Sequence, residues 1–306
     1  MDILSRLLAE KGELEAKLAE NAANIAEMSG ASIGQNMVLP ASEACKNIPP
    51  NSWLVNGLIQ SVGFGAIGAP PFTGKSFLAS HIAGSICSGR HLFGPFTPNK
   101  AVPVLYLYYE SGRSEFLTTI KKTLESRGID GKILFVNAAD VPNDRLRIGS
   151  AGFEAAIRAS GARFVICDTL AFAANVKEES NEEFQNKVVG PTVDLTKRLG
   201  IYVLYVHHPQ KNTEGVDDVY AFRGGSTLSA GADGLFIVRR IKGESQESSK
   251  RSLRIVKVRG AHSGQLDIEF DFPRRVAYCD EDDARRVLWT PDRYEKFKAT
   301  HWEGEA

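Results

Sequence analysis

The stretch that decides the fold is Ala69-Pro70-Pro71-Phe72-Thr73-Gly74-Lys75-Ser76. A short apolar run, 61–67 (SVGFGAI), precedes it, and apolar residues recur at helical spacing in the run that follows, 77–87 (FLASHIAGSIC). Strand, tight loop and helix are the context that a phosphate-binding P-loop requires, here with alanine in place of the usual first glycine. The backbone N–H groups of such a loop converge on phosphate, and the dipole of the new helix also favours negative charge.

Two side chains at the end of this loop have predicted roles. Lys75 would reach the β- and γ-phosphates, and the hydroxyl of Ser76 would ligate Mg²⁺. The alternative is an ordinary strand-to-helix turn with a chance Gly-Lys-Ser, which the flanking strand and helix argue against. The predicted nucleotide-binding residues are therefore Ala69, Pro70, Pro71, Phe72, Thr73, Gly74, Lys75, Ser76 and Phe77.

The composition excludes several classes of protein. The chain has 306 residues, 43% hydrophobic and 24% charged, which is typical of a globular protein. Its 37 basic and 37 acidic residues balance, so a strongly basic nucleic-acid coat protein is excluded, and DNA or RNA contacts would come from local loops or a repeated ring surface. The four cysteines form no CxxC pair, which argues against a zinc site, and we expect Cys87 and Cys167 to be buried free thiols.

The amino-terminal sequence, MDILSRLLAEKGELEAKL, carries charges throughout and is unlike a signal peptide. No apolar run is long enough to span a membrane. We therefore expect a cytoplasmic protein with no membrane partner.

Four segments are predicted along the chain. Residues 1–28 form an amphipathic helix, 29–51 a polar linker, 52–280 the core domain, and 281–306 a charged tail. The amino-terminal helix has two interpretations, packing on its own domain or docking on a neighbouring subunit or protein partner. We favour the docking arm, because a polar linker follows it.

Within the core, apolar runs alternate with helical patterns up to His208. This alternation predicts a parallel sheet covered on both faces, so the fold class is α/β. Short strands joined by tight turns follow, which predict antiparallel additions. The predicted strands after the P-loop are 102–109, 132–136, 163–167, 201–206, 234–241, 252–259, 266–272 and 276–278, and the predicted helices are 113–127, 152–160 and 181–199.

Ligands of open α/β sheets bind beyond the carboxyl ends of the strands, so residues at those ends are candidates for chemistry. Asp168 ends the run FVICD and could hold Mg²⁺, or alternatively cap the next helix. Glu110 follows LYLYY and could polarise the water that attacks the γ-phosphate, or simply be solvated; Glu115 is a nearby competitor. His207 and His208 close the next strand, and we choose His208 as the phosphate sensor, with His207 possible.

Three cations lie far from the P-loop in sequence. Arg223 follows a polar loop, while Lys257 and Arg259 lie on one face of a predicted strand. Such cations could complete the site of a neighbouring subunit as arginine fingers. Surface ion pairing is the equally weighted alternative.

Together these residues resemble the RecA-like ATPase core of hexameric replicative helicases, the plasmid RepA type first and the DnaB type more distantly. The matching pieces occur in the family order over residues 53–270: the P-loop, Glu110, FVICDT (164–169), YVLYVHHPQK (202–211), FRGGSTLSAGAD (222–233) and KVRG (257–260).

The resemblance implies a RecA-like ATPase domain over 52–280, with ATP and Mg²⁺ as cofactors. Glu110 would be the catalytic base, Asp168 the metal-binding acid and His208 the γ-phosphate sensor. Arg223, Lys257 and Arg259 would act in trans within a homo-oligomeric ring, most often a hexamer.

The resemblance also makes 209–221 the loop that contacts single-stranded DNA in the central channel. That loop carries Glu214, Asp217 and Asp218 beside Lys211, whereas phosphate contacts need cations or backbone N–H groups. Two other functions therefore stay open: a RecA-like recombination ATPase that forms filaments, and a nucleotide-switched interaction module without helicase activity.

Overall fold

A computed structural model of the chain describes residues 51–110, 113–127, 133–142, 145–176, 180–208, 222, 225–245, 247–271 and 276–279. The predicted amino-terminal helix (1–28), nearly all of the linker (29–51), the loop 209–221, Arg223 and the tail 281–306 lie outside the described residues. Predictions about them stay predictions.

Eleven strands are present in the described part of the chain. They are β1 (Trp53–Val55), β2 (Ile59–Gln60), β3 (Gly63–Gly68), β4 (Val104–Tyr108), β5 (Ile133–Asn137), β6 (Phe164–Asp168), β7 (Tyr202–His207), β8 (Gly234–Arg240), β9 (Lys250–Val258), β10 (Gly264–Asp271) and β11 (Val276–Cys279).

The described helices surround these strands. They are α1 (Lys75–Ser88), α2 (Arg113–Arg127), α3 (Ala151–Ser160), α4 (Leu170–Ala174), α5 (Asn181–Phe184), α6 (Gly190–Leu199) and α7 (Gly225–Gly231), with a 3₁₀ turn at Ala138–Asp140 and a π-helical turn at Gln185–Val189. None of these helices is both long and apolar enough to cross a bilayer.

A nine-stranded sheet organises the domain, in the order β11-β10-β9-β8-β3-β7-β6-β4-β5. The six strands from β8 to β5 are parallel, and β9, β10 and β11 extend the sheet antiparallel. The predicted α/β fold with a mostly parallel sheet and antiparallel carboxy-terminal strands is confirmed. Strands β1 and β2 pair separately as a small hairpin.

Strand β8 differs from the expectation. The segment 234–241 was predicted among the antiparallel additions, yet it pairs parallel with the P-loop strand β3, with Gly234 beside Gly65. A parallel neighbour needs a crossover connection, and α7, built from the small residues 225–231, lies in that connection. The sequence pattern identified the strand but not its direction.

The sheet is buried on both faces, which explains the continuous apolar runs. All six residues of β3 are buried, and side chains alternate between two core clusters. Ile67 faces α1 with Leu78, whereas Ala66 faces the other cluster with Phe153. Cys87 and Cys167 are buried free thiols, as predicted.

The predicted helix 181–199 is divided. Ser180 caps its start by accepting a hydrogen bond from the Glu183 N–H, but the turn Gln185–Val189 is π-helical. Pro191, which follows, has no N–H to donate and its ring would crowd the carbonyl one turn earlier. The wider turn accommodates this proline before α6 continues.

Candidate active site

The P-loop connects β3 to α1 at the carboxyl edge of the sheet. Ala69 is fully buried, so the substitution of the usual glycine is accommodated in the core. Phe72, at a φ of 59°, is 92% exposed. Helix α1 begins at Lys75 and has no acidic residue in its first turn. Its amino-terminal N–H groups and dipole therefore offer an anion site without a competing carboxylate.

Two structural constraints exclude a side chain at position 74. Its φ is 103°, a left-handed conformation that side chains rarely adopt. A Cβ at this position would also lie 2.4 Å from Cε2 of Phe270, a residue of β10. The Phe270 ring stacks on Phe77, with centroids 4.4 Å apart. The antiparallel extension thus packs directly against the start of α1.

Three charged residues predicted from separate motifs come together below this loop. The pKa of the Lys75 ammonium is lowered by burial, while the charges of Asp168 and Glu110 oppose that shift. The two carboxylates therefore act electrostatically on the P-loop lysine.

Asp168 ends β6 and is completely buried. The Tyr106 hydroxyl donates to its Oδ2 at 2.8 Å. Burial raises the pKa of the Asp168 carboxyl to about 6, and hydrogen bonds from Ser76 and Tyr106 limit the rise. Its Oδ1 is also buried and has no hydrogen-bond partner in the described part of the chain. A buried acceptor left open beside a serine hydroxyl fits a Mg²⁺ ion or its water, so Ser76 and Asp168 are suitable ligands.

Glu110 follows β4 at the same edge and is half-buried. The residue before it fixes the backbone, because the Tyr109 N–H donates to the Asp168 carbonyl at 2.7 Å. The Tyr109 hydroxyl also donates to the Leu146 carbonyl at 2.7 Å. These two bonds fix Tyr109, so the backbone of Glu110 follows directly beside the end of β6.

The two histidines at the end of β7 have different surroundings. His207 pairs with Gly68 of β3 and is 1% exposed, and its ring lies 5.8 Å from that of Phe184. His208 follows at the carboxyl edge and is half-buried. Of the two, His208 is the more exposed, and its role as phosphate sensor stays a prediction.

Lys257 and Arg259 lie at the opposite edge of the sheet. The antiparallel pairing of β9 with β8 places Lys257 beside Leu235, near the start of β8. Through Leu235, Lys257 lies level with Ala66 of β3, about 10 Å along the strand from the start of the P-loop, and the Asp233 that pairs with Arg259 accepts from the Phe64 N–H. Both side chains contact parts of the chain other than the P-loop.

Both residues make contacts within this chain. Lys257 Nζ donates to the carbonyls of Ser229 at 2.7 Å and Ala230 at 3.2 Å, and Arg259 pairs with Asp233 at 2.9 Å. A role in trans would therefore require these contacts to be exchanged or shared.

A family model described as AAA domain matches residues 35–214, more than half of the chain. The chain belongs to the AAA domain family. The matched part of this AAA domain contains the P-loop, Glu110, Asp168 and His208, whereas Arg223, Lys257 and Arg259 lie beyond it. A search of curated protein sequences finds no significant match.

Solved structures show the same fold. The ATPase domain of G40P matches with a TM-score of 0.54 and 14% identity, covering 71% of this chain and 84% of that one. A DnaB-like replicative helicase, solved in a study of its interactions with primase, matches with a TM-score of 0.53 and 15% identity, covering 71% of this chain and 57% of that one. The resemblance to the RecA-like core of DnaB-type helicases is confirmed at the level of fold.

Several residues that touch the site were not predicted. Tyr106 holds Asp168, and Arg240 and Arg251 donate to carbonyls of the P-loop. The sequence does show two consecutive arginines, Arg239 and Arg240, at the end of a predicted strand. They could not be assigned to the P-loop from the sequence, because the direction of β8 decides which end of the sheet they reach.

Proposed function

We propose that this chain is a Mg²⁺-dependent ATPase of the replicative-helicase type, which assembles into a homo-oligomeric ring and moves on single-stranded DNA. One observation carries the ATPase part. Asp168 ends β6 and Glu110 follows the neighbouring strand β4, where the Tyr109 N–H donates to the Asp168 carbonyl at 2.7 Å, and both carboxylates oppose the lowering of the pKa of Lys75 at the end of the P-loop. Two carboxylates and a lysine at a phosphate-binding loop are the groups that nucleotide hydrolysis uses.

Each residue has a defined task in this proposal. The P-loop N–H groups and Lys75 bind and orient the phosphates, and Ser76 and Asp168 would hold a metal ion, which would supply positive charge to the phosphates. Glu110 orients the attacking water and accepts its proton. His208, at the end of the neighbouring strand, reports whether the γ-phosphate is present.

The ring accounts for the cations at the opposite edge. Because the contacts of Lys257 and Arg259 within their own chain are made away from the P-loop, we assign them to the nucleotide site of another subunit. In the proposed hexamer, they and Arg223 approach the phosphates of the adjacent subunit. Developing negative charge there would make such a contribution worth up to about 10³- to 10⁵-fold in rate.

The DNA part rests on the fold and on the position of the loop 209–221, which directly follows His208. Helicases with this fold bind DNA in a ring channel, and a ring repeats even a weak contact several times. The amino-terminal helix would serve as a docking arm for the neighbouring subunit or a protein partner. The loop also carries the acidic residues Glu214, Asp217 and Asp218, which would repel DNA phosphates. They favour one competing function, a nucleotide-dependent switch that is regulated by a protein partner and not by DNA.

The test is the rate of ATP hydrolysis with and without single-stranded DNA, double-stranded DNA and RNA, with Lys75→Ala as the inactive control. Stimulation by single-stranded DNA, together with closed rings in electron microscopy, is the expected result. If no nucleic acid stimulates hydrolysis and the protein does not bind DNA at low salt, movement on DNA is rejected. The nucleotide-switched interaction module then remains. Filaments in place of rings would indicate a recombination ATPase.

Mixed oligomers test the role in trans. Subunits carrying Arg223→Ala and subunits carrying Lys75→Ala should each be inactive alone. Mixing them creates interfaces with one intact P-loop and one intact arginine, so partial activity should return. No recovery in an oligomer shown by mass spectrometry to be mixed would contradict this placement of Arg223.

A further inference from the structure

Phe72, in the middle of the P-loop, is the most exposed large apolar residue in the described part of the chain. It is 92% exposed, whereas the other exposed large apolar residues, Val62, Leu134 and Phe172, are between 40% and 54% exposed. Partly exposed apolar side chains are common on protein surfaces. A phenyl ring almost wholly in water is different, because it contributes nothing to the core of its own chain.

The backbone at this position also disfavours phenylalanine. The Thr73 N–H donates to the Pro70 carbonyl at 3.3 Å, which closes a turn with Pro71 and Phe72 at its centre. Phe72 has a φ of 59°, the left-handed conformation that glycine or asparagine usually adopts after proline in a type II turn. The Phe72 carbonyl accepts from Arg240 Nη2 at 3.1 Å, which helps to hold this conformation. A residue that is both strained and exposed is explained if its ring contacts something outside the chain.

A second exposed apolar residue lies at the other end of the same strand. Val62 directly precedes β3 and is 41% exposed. The six residues of β3 separate it from the P-loop by about 20 Å, so Val62 and Phe72 do not meet within one chain. Gly63, the next residue, lies against the carboxylate of Asp233, which pairs with Arg259 at 2.9 Å. Val62 is therefore close to one of the cations assigned to the nucleotide site of another subunit.

We propose that Phe72 is an assembly contact, which packs on the surface around Val62 of a second copy of this chain. The proposal rests on the ring of the proposed function. An interface that brings Arg259 of one subunit to the phosphates of the next also brings the surface around Val62 to that P-loop. The two contacting surfaces differ, so the interface is heterologous, and such interfaces close into rings when the rotation permits.

The competing explanation is that the ring of Phe72 contacts the nucleotide of its own subunit. Removal of the ring would then weaken nucleotide binding by a single subunit. A contact between copies predicts the opposite combination, in which a single subunit binds nucleotide normally and assembly is weakened. The two explanations are therefore separated by measuring binding and assembly at different protein concentrations.

The experiment is sedimentation velocity of the full chain over a dilution series, with Mg²⁺ and the non-hydrolysable analogue AMP-PNP. Phe72→Asn removes the ring and suits the left-handed backbone, whereas Phe72→Tyr keeps the ring. Leu134→Asn is the matched control, because Leu134 is an exposed apolar residue of β5, the outermost strand next to β4.

The concentration at which half of the subunits assemble should rise about 10- to 100-fold for Phe72→Asn, because the burial of one large apolar side chain is lost. It should stay within about threefold for Phe72→Tyr and Leu134→Asn. Assembly of Phe72→Asn at the wild-type concentration would overturn the proposal.

Val62→Asn tests the receiving surface. This smaller side chain should contribute less, so half-assembly should require about 3- to 10-fold more protein. If the two residues touch across the interface, the double variant should assemble about as weakly as Phe72→Asn alone. Losses that multiply in the double variant, or wild-type assembly of Val62→Asn, would overturn the pairing with Val62.

The isolated subunit gives the second readout. At concentrations at which the wild type is a monomer, Phe72→Asn should bind fluorescent mant-ATP within about twofold of wild type. Its melting temperature should be equal or about 1–3 °C higher, because backbone strain is relieved and no buried contact is lost. A loss of monomer affinity of about tenfold or more with unchanged assembly would overturn the proposal in favour of a nucleotide contact. A clearly lower melting temperature would also contradict it, because the ring would then support its own chain.

Failure of the proposed function looks different. A wild type that assembles through Phe72 but never hydrolyses ATP would reject the ATPase and leave the contact intact. A hydrolysing ring that Phe72→Asn does not weaken would reject the contact alone. A wild type that stays monomeric with AMP-PNP at every concentration would reject both the ring and the contact.

Discussion

Removing the Tyr106 hydroxyl should weaken both the fold and the metal site. Tyr106→Phe keeps the ring, which lies 4.7 Å from that of Phe116, but deletes the donor that holds Asp168 Oδ2 at 2.8 Å. Both partners are fully buried, so no water replaces the lost bond. A hydrogen bond to a charged group contributes about 1.5–3 kcal/mol, and the free energy of unfolding at pH 7 should fall by that amount.

The same substitution should raise the Mg²⁺ concentration that half-saturates hydrolysis. Partners that orient a ligating carboxylate are worth about 10- to 100-fold in metal affinity, so the midpoint should rise by a factor in that range. Excess Mg²⁺ should restore most of the turnover, because Glu110 and Lys75 are untouched. The assays are urea denaturation of the protein without nucleotide and a Mg²⁺ titration of ATP hydrolysis.

Tyr202→Phe is the matched control. Tyr202 is also a buried tyrosine of the central sheet, but its hydroxyl has no hydrogen-bond partner in the described part of the chain. Its removal should leave stability within about 0.5 kcal/mol of wild type, or raise it, because no bond is lost. If Tyr106→Phe and Tyr202→Phe behave alike in both assays, the reasoning about Asp168 is refuted.

Two further substitutions test the loop and the surface. Gly74→Ala should cost about 1–3 kcal/mol from its backbone alone and also abolish nucleotide binding, because the new Cβ meets the ring of Phe270. Gly161 also has a positive φ, but a Cβ added there would meet no atom within 4 Å. Gly161→Ala should therefore cost less stability than Gly74→Ala and leave nucleotide binding unchanged. Hydrogen bonds from Arg198 and then Arg158 lower the pKa of Glu154 to about 2, so their stabilisation is present above pH 4.5 and is lost as pH falls towards 2. Urea midpoints of Glu154→Gln should therefore decline less than those of wild type over that pH range, and an identical decline would contradict the assignment.

The residues that the sequence identified share a local signature. The P-loop needs only its own eight residues and its flanks, and Asp168 and Glu110 each follow an apolar run directly. In a parallel sheet the carboxyl ends of all strands lie at the same end of the sheet. Residues that directly follow the strands are therefore expected to lie near one another. These residues could be assigned without knowing which strands pair.

Contacts that depend on pairing could not be predicted. Arg251 bonds to Thr73 across 178 residues of sequence, and Tyr106 bonds to Asp168 across 62. The first requires the direction of β8 and the register of β9, neither of which follows from apolar spacing. Phe270 reaches Gly74 for the same reason, through two antiparallel pairings that short strands do not specify.

The central claim is that the P-loop, Lys75, Asp168 and Glu110 form a hydrolytic ATP site, and Glu110→Gln tests it most directly. The measurement is ATP turnover by the assembled protein with Mg²⁺ and single-stranded DNA, beside mant-ATP affinity in the same samples. The variant should bind mant-ATP within about threefold of wild type and hydrolyse ATP about 10²- to 10⁴-fold more slowly, which is the range of a positioned general base. Turnover by Glu110→Gln near the wild-type rate would contradict the account.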